Sequence, residues 1–110
     1  MTAVSEFELS DLGDGRFALA GDLSFDTAEQ IRRASQKQFN GHDNIEVNLS
    51  RVEMTDSAGL ALLLEWISWA SHSEVVIQFS EIPEKILAIA QTTEVDELLR
   101  GAYSSSQPTP

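Results

Sequence analysis

Apolar and polar residues alternate along the first quarter of the chain and then switch to helical spacing. In residues 6–12 (EFELSDL), Phe7 and Leu9 stand two apart among polar neighbours, the pattern of a half-buried strand. Gly13, Asp14 and Gly15 follow and suit the positive backbone angles of a hairpin turn. Residues 16–23 (RFALAGDL) alternate again, with Phe17, Leu19 and Gly21 on one side, so an antiparallel hairpin is expected to open the fold.

The period then lengthens. A first helix is expected after Ser24-Phe25-Asp26-Thr27, with Asp26 as N-cap and Glu29 three residues on as its capping-box partner. Ile31 and Ala34, with Ala28 and Gln38, form its apolar stripe, and Asn40-Gly41 ends it. Residues 45–52 (IEVNLSRV) return to strand alternation, with Ile45, Val47 and Leu49 on one face. Residues 74–79 (EVVIQF) read as another β-branched strand. Pro83 preorganises the first turn of a third helix whose stripe is Ile82, Ile86, Leu87, Ile89 and Ala90. Residues 94–100 (EVDELLR) suit a last short helix that packs Val95, Leu98 and Leu99. The order strand, strand, helix, strand, helix, strand, helix implies an α/β fold. Its mixed sheet is opened by a hairpin, its later strands are joined by right-handed crossovers, and its helices pack mainly on one face.

Between the third strand and the second helix lies the stretch that draws the most attention, Thr55-Asp56-Ser57-Ala58-Gly59-Leu60. Ser57 is expected to be the N-cap, and Ala58, Gly59 and Leu60 the first turn with its unpaired N–H groups. A phosphate would suit that position. Projecting residues 57–72 at about 100° per residue gathers Ser57, Glu65, Ser68, Ser71 and His72 in one polar sector, with Ala61 and Leu64 inside it. The remaining apolar arc is wider than one sheet face requires. Either the sheet and flanking helices bury all of it, or Leu64, Ala61 and an edge carrying Leu62, Trp66 or Trp69 belong to a docking surface. Asp56 is likewise open to two readings, a turn residue or a contributor to a partner kinase's magnesium site.

Composition narrows the function classes. The chain has 110 residues, enough for one domain, expected to span residues 1–100; the Ser-, Pro- and Thr-rich residues 101–110 are expected to be a disordered tail. It holds no cysteine, which excludes disulfides and Cys-based metal sites and fits a reducing compartment. No apolar run is long enough to span a bilayer, and residues 1–10 lack the basic start and apolar core of a signal peptide, so a cytoplasmic location is expected. Acidic residues outnumber basic ones 18 to 7, a formal net charge of -11. Such a surface repels nucleic acid and anionic lipid and favours basic protein partners. His42 and His72 are isolated from one another, and no nucleophile elbow, phosphate-binding loop or dinucleotide fingerprint is present. The expectation is a non-catalytic chain without metal or cofactor.

Asp56-Ser57-Ala58-Gly59-Leu60 after a strand ending VNLSRV, together with Leu19-Ala20-Gly21-Asp22-Leu23 before the first helix, resembles a STAS domain. That is the fold of anti-sigma-factor antagonists and sulfate-transporter tails. The resemblance runs over residues 6–99 and implies a small mixed sheet with helices on one side. In the antagonist branch, the residue matching Ser57 is phosphorylated by the anti-sigma kinase. The segment SRVEMTDSAGLALLLEWISWA is most similar to the MlaB-type branch, the small cytoplasmic STAS subunits of the transporter that maintains outer-membrane lipid asymmetry. Those subunits bind the ABC transporter's ATPase subunit (MlaF-like) and support its assembly and activity, which implies a place peripheral to the inner membrane. The resemblance implies that the position of Ser57 lies at the ATPase contact; with the helix start and the exposed sector of the helix, the expected partner-binding residues are Thr55, Asp56, Ser57, Ala58, Gly59, Ala61, Leu64 and Glu65. Ser57 is the candidate phosphoacceptor, with Thr55 a second. The alternative it implies is an anti-sigma-factor antagonist that captures a serine kinase and is switched by phosphate on Ser57. The family's frequent acidic residue is Ser24 here.

Overall fold

The computed structural model describes residues 6–93 and Leu99. The rest of the expected last helix and the expected tail, residues 101–110, lie outside the described residues. Strands β1 (Phe7–Gly13) and β2 (Arg16–Leu23) form the opening hairpin, and α1 (Ala28–Phe39), β3 (Asn44–Thr55), α2 (Ser57–His72), β4 (Val76–Ser80) and α3 (Glu84–Thr92) follow. The turn is built as its composition requires: Gly13, Asp14 and Gly15 all have positive φ.

One four-stranded sheet has the order β1-β2-β3-β4, antiparallel between β1 and β2 and parallel from there on. Phe17, Val47 and Phe79 lie in register across β2, β3 and β4 and are all buried, so the core is threaded through three adjacent strands at one level. Leu9, Leu19, Ile45, Leu49 and Ile77 extend that face, and the helices supply Ile31, Phe39, Leu63, Trp66, Ile86 and Ala90 against it. The alternate positions Glu8, Ala18, Ala20, Glu46, Asn48 and Gln78 stay exposed or half-buried, because no described helix covers the second face. This explains why β3, although central, is polar at every second residue.

Besides β4, which runs over Val76–Ser80 and not residues 74–79, and α3, which begins at Glu84 with Pro83 as its N-cap, three departures from expectation shape the sheet and α1. First, β3 runs to Thr55, beyond the apolar alternation, because its register against β2 shifts between Ala18 and Ala20 and again between Gly21 and Asp22. The shifts let β3 keep pairing with β2 while its end is re-aimed toward α2. Second, α1 has no capping box. Its N-cap is Thr27, Asp26 is exposed, and Glu29 turns along the helix to pair with Arg32 at 2.7 Å and Arg33 at 3.1 Å. Third, the buried stripe of α1 is Ile31, Ser35 and Phe39, one position displaced from Ala34 and Gln38. Ser35 is inside because Trp66 Nε1 of α2 donates a 2.9 Å hydrogen bond to its Oγ.

Arg32 and then Arg33, bonded to Glu29, hold its carboxyl below the ordinary range. The sign follows from a depressed carboxylate: whatever it contributes is present above the unfolded Glu range and is lost as pH falls through the lowered value. Glu29 is exposed to solvent, so screening leaves this pair little weight in the stability of the fold.

Candidate functional site

The junction of β3 and α2 is built around Asp56. It has an extended backbone, and its Oδ1 accepts from the Ala58 N–H at 2.9 Å, which makes Asp56, rather than Ser57, the N-cap of α2. Asp and Ser cap equally well, so local preference could not separate neighbouring candidates. The deciding contact is tertiary: Asp56 Oδ2 accepts from the Phe25 N–H at 3.2 Å, and a serine hydroxyl does not offer two acceptor oxygens so placed. One carboxylate therefore clips the β2–α1 loop to the start of α2. Asp56→Ala should cost about 1–2 kcal/mol, the usual loss of a cap, read as a lower urea midpoint. An unchanged midpoint would show that the clip adds no stability.

The same loop is held from its other side. Thr27 is buried, 1% exposed, and its Oγ1 accepts from the Ser24 N–H at 3.1 Å while donating to the Asp22 carbonyl at 2.7 Å. The Thr27 and Ala28 N–H groups both reach the Ser24 carbonyl, at 3.1 and 2.8 Å. Residues 22–28 thus form a fixed turn beside the start of α2.

Around this frame the expected site residues separate by burial. Ser57, Ala61 and Glu65 are exposed, on successive turns of α2; Ala58 and Leu64 are half-buried, Leu64 against the core. Gly59 is buried and presents no surface: a Cβ there would meet Thr55 Oγ1, and the Leu23 carbonyl at 2.7 Å. Thr55 Oγ1 is buried without a hydrogen-bond partner, whereas Ser57 faces solvent. Leu62 and Trp66, weighed as part of a docking edge, are core residues, each 3% exposed, because α1 packs over them. Trp69, 36% exposed, lines a groove between α1 and α2 together with Arg32, Phe39 and Glu65. Ala58 and Ala61 line its continuation toward the start of α2.

Two further residues of this region have no counterpart among the sequence-based candidates: Phe25, 81% exposed in the fixed turn, and Met54, 67% exposed at the end of β3. The available signal was a single large apolar residue inside each of two polar stretches, Ser24-Phe25-Asp26 and Glu53-Met54-Thr55. Among the described residues no group of His, Cys, Asp and Glu is placed to hold a metal ion, and no helix is long and apolar enough to cross a membrane.

A small mixed sheet with helices on one side is the fold that the Asp56-Ser57-Ala58-Gly59-Leu60 resemblance implied. The family model described as MlaB, STAS domain matches residues 10–100. The chain belongs to the MlaB-type STAS domain family. Its fold is shared with the unphosphorylated anti-sigma factor antagonist SpoIIAA, at TM-score 0.66 and 18% identity over 92% of this chain and 88% of that one. A candidate anti-sigma factor antagonist from Thermotoga maritima matches at TM-score 0.71 and 20% identity, over 92% and 86% of the two chains. A sulfate transporter family protein from Wolinella succinogenes matches at 0.64 and 13%, over 86% and 80%. No curated protein sequence matches the chain significantly. At such identities, the structural likeness establishes the STAS fold.

Proposed function

We propose that this STAS domain is a non-catalytic subunit that docks on the ATPase subunit of an ABC-type phospholipid transporter of the Mla kind, supporting its assembly and activity. It would work at the cytoplasmic side of the inner membrane, held there by the transporter. The observation that carries this reading is the match to the MlaB-type family model across residues 10–100. The exposed line Ser57, Ala61 and Glu65 supports it, with Ala58 and Leu64 beside it, Asp56 holding the start of α2 in place and Thr55 ending β3 just before it. Gly59 serves that surface by packing, since it is buried.

The test uses the purified chain and the purified ATPase subunit of the same organism's Mla-type transporter. Wild type and Ser57→Ala should bind alike. Ser57→Glu should bind roughly tenfold more weakly, because a carboxylate placed within a close contact must be desolvated without an assigned counter-charge. Absence of binding by the wild type would end this reading.

A second reading has one observation in its favour: Ser57 is exposed at the helix start while the Thr55 hydroxyl is buried, so the accessible hydroxyl is the one at the phosphoacceptor position of antagonists. Capture of a serine kinase, with phosphate on Ser57 of the wild type, would put the anti-sigma-antagonist reading in place of the first.

A further inference from the structure

We propose that Phe25 and Met54 are the two apolar anchors of the partner interface, and that they seat in an apolar recess of the ATPase subunit rimmed by lysine or arginine; this rests on the transporter-subunit reading above. Large apolar side chains left in water at 81% and 67% exposure are the two most exposed among the described large hydrophobics. Burying such side chains is what supplies most interface affinity, and a few central residues usually carry it.

Both anchors stand on rigid supports, which separates them from side chains that are merely exposed. Phe25 is held by its own N–H on Asp56 Oδ2, and its flanks are tied through Ser24 and the buried Thr27. Met54 lies in the sheet, in register with Asp22, after the second register shift of β3, and the next pair is Thr55 with Leu23. Both sites are tied to Asp56 and so to Ser57: Phe25 through the 3.2 Å bond and Met54 by sequence, two residues before it. A preorganised anchor loses little conformational freedom on binding. Phe offers a stiff ring and Met an adaptable thioether, a pairing that fills an irregular recess.

Charge decides the kind of partner. Asp26 and Glu53 are exposed and directly adjoin Phe25 and Met54 in the chain, no Lys or Arg falls within residues 20–31 or 52–65, and the whole chain carries -11. An acidic rim around apolar anchors is complementary to a basic rim around an apolar recess, and the charges would set the rate and orientation of encounter more than the lifetime. The same charge opposes pairing of two copies through this patch.

The experiment measures binding of wild type, Phe25→Ser, Met54→Ser and Arg16→Ser to the purified ATPase subunit at low and moderate salt, with urea midpoints measured in parallel. Arg16→Ser alters an exposed residue at the opposite end of β2. Phe25→Ser and Met54→Ser should each weaken binding by about tenfold or more, chiefly through faster dissociation, with midpoints unchanged since neither side chain is in the core. Arg16→Ser should bind as wild type does, and added salt should slow association of every variant. If wild type binds and both anchor variants bind within about twofold of it, the anchors are refuted while the docking reading stands. If wild type does not bind, both fall. If the chain instead forms a dimer that Phe25→Ser and Met54→Ser dissolve, the patch belongs to a second copy and this proposal is overturned.

Discussion

Trp66→Ala is expected to cost about 3–5 kcal/mol, enough to bring a domain of ordinary stability close to unfolding. The indole is 3% exposed, and its ring centroid lies 5.3 Å from Phe39 and 6.2 Å from Phe79, so it joins α1, α2 and β4. Its Nε1–H is also bonded, at 2.9 Å, to Ser35 Oγ. That bond makes a second, less intuitive expectation. Ser35→Ala replaces a poorer helix former by the best one, a gain of a few tenths of a kcal/mol in an exposed position. Here it strips a buried indole donor of its acceptor, a loss of about 1–3 kcal/mol, so the net effect is destabilising. Urea unfolding of the two variants decides both points. A Ser35→Ala protein more stable than wild type would mean that the indole finds another acceptor.

Gly59→Ala should also destabilise, by up to about 2 kcal/mol net, against the direction that helix propensity predicts. Ala in place of Gly in a helix ordinarily gains about 1 kcal/mol. At this position the added methyl would meet the Leu23 carbonyl oxygen at 2.7 Å and Leu23 Cγ at 3.1 Å, besides Thr55 Oγ1. Thr55 can rotate its hydroxyl away, because that hydroxyl has no hydrogen-bond partner to lose. The Leu23 carbonyl belongs to the backbone of β2 and yields only if α2 shifts outward, an overpacking cost of about 1–3 kcal/mol or more that outweighs the propensity gain. Gly59→Val, larger and β-branched, should be worse still. A midpoint for Gly59→Ala above that of wild type would refute the close packing of α2 on the end of β2. The glycine of the Asp56-Ser57-Ala58-Gly59-Leu60 motif is thus explained by contact distance and needs no unusual backbone angle.

The opening hairpin, the apolar row Ile45, Val47 and Leu49, and the α3 stripe of Ile86 and Ala90 are legible in the residue pattern alone, since each is a local periodicity that one buried face imposes, while Ile82 of the expected stripe is buried just before the helix begins. The resemblance carried by residues 56–60 leads to the STAS family for a similar reason: a strand end, a cap and a tight first turn are consecutive residues. Local preference places the α2 cap one residue off, and it favours a capping box in α1 that does not form. Asp26, Glu29, Asp56 and Ser57 are all good cap-region residues, and intrinsic preferences of similar size cannot choose among neighbours. The choice comes from specific partners: Phe25 for Asp56, 31 residues away, and Arg32 for Glu29 within its own helix.

By itself the sequence determined which elements form, in what order, that they close into a mixed sheet covered on one face, and that the chain carries a strong negative charge. Those features depend on period and composition, which the chain holds without reference to its fold. Only the tertiary structure decided that Trp66 is core while Trp69 lines a groove, that Ser57 is open while the Thr55 hydroxyl is buried, and that Phe25 and Met54 stand exposed on fixed supports. Each depends on which element packs over a given side chain, and on the register shifts of β3 that aim its end. Such contacts join residues tens of positions apart, so no window of sequence holds both partners.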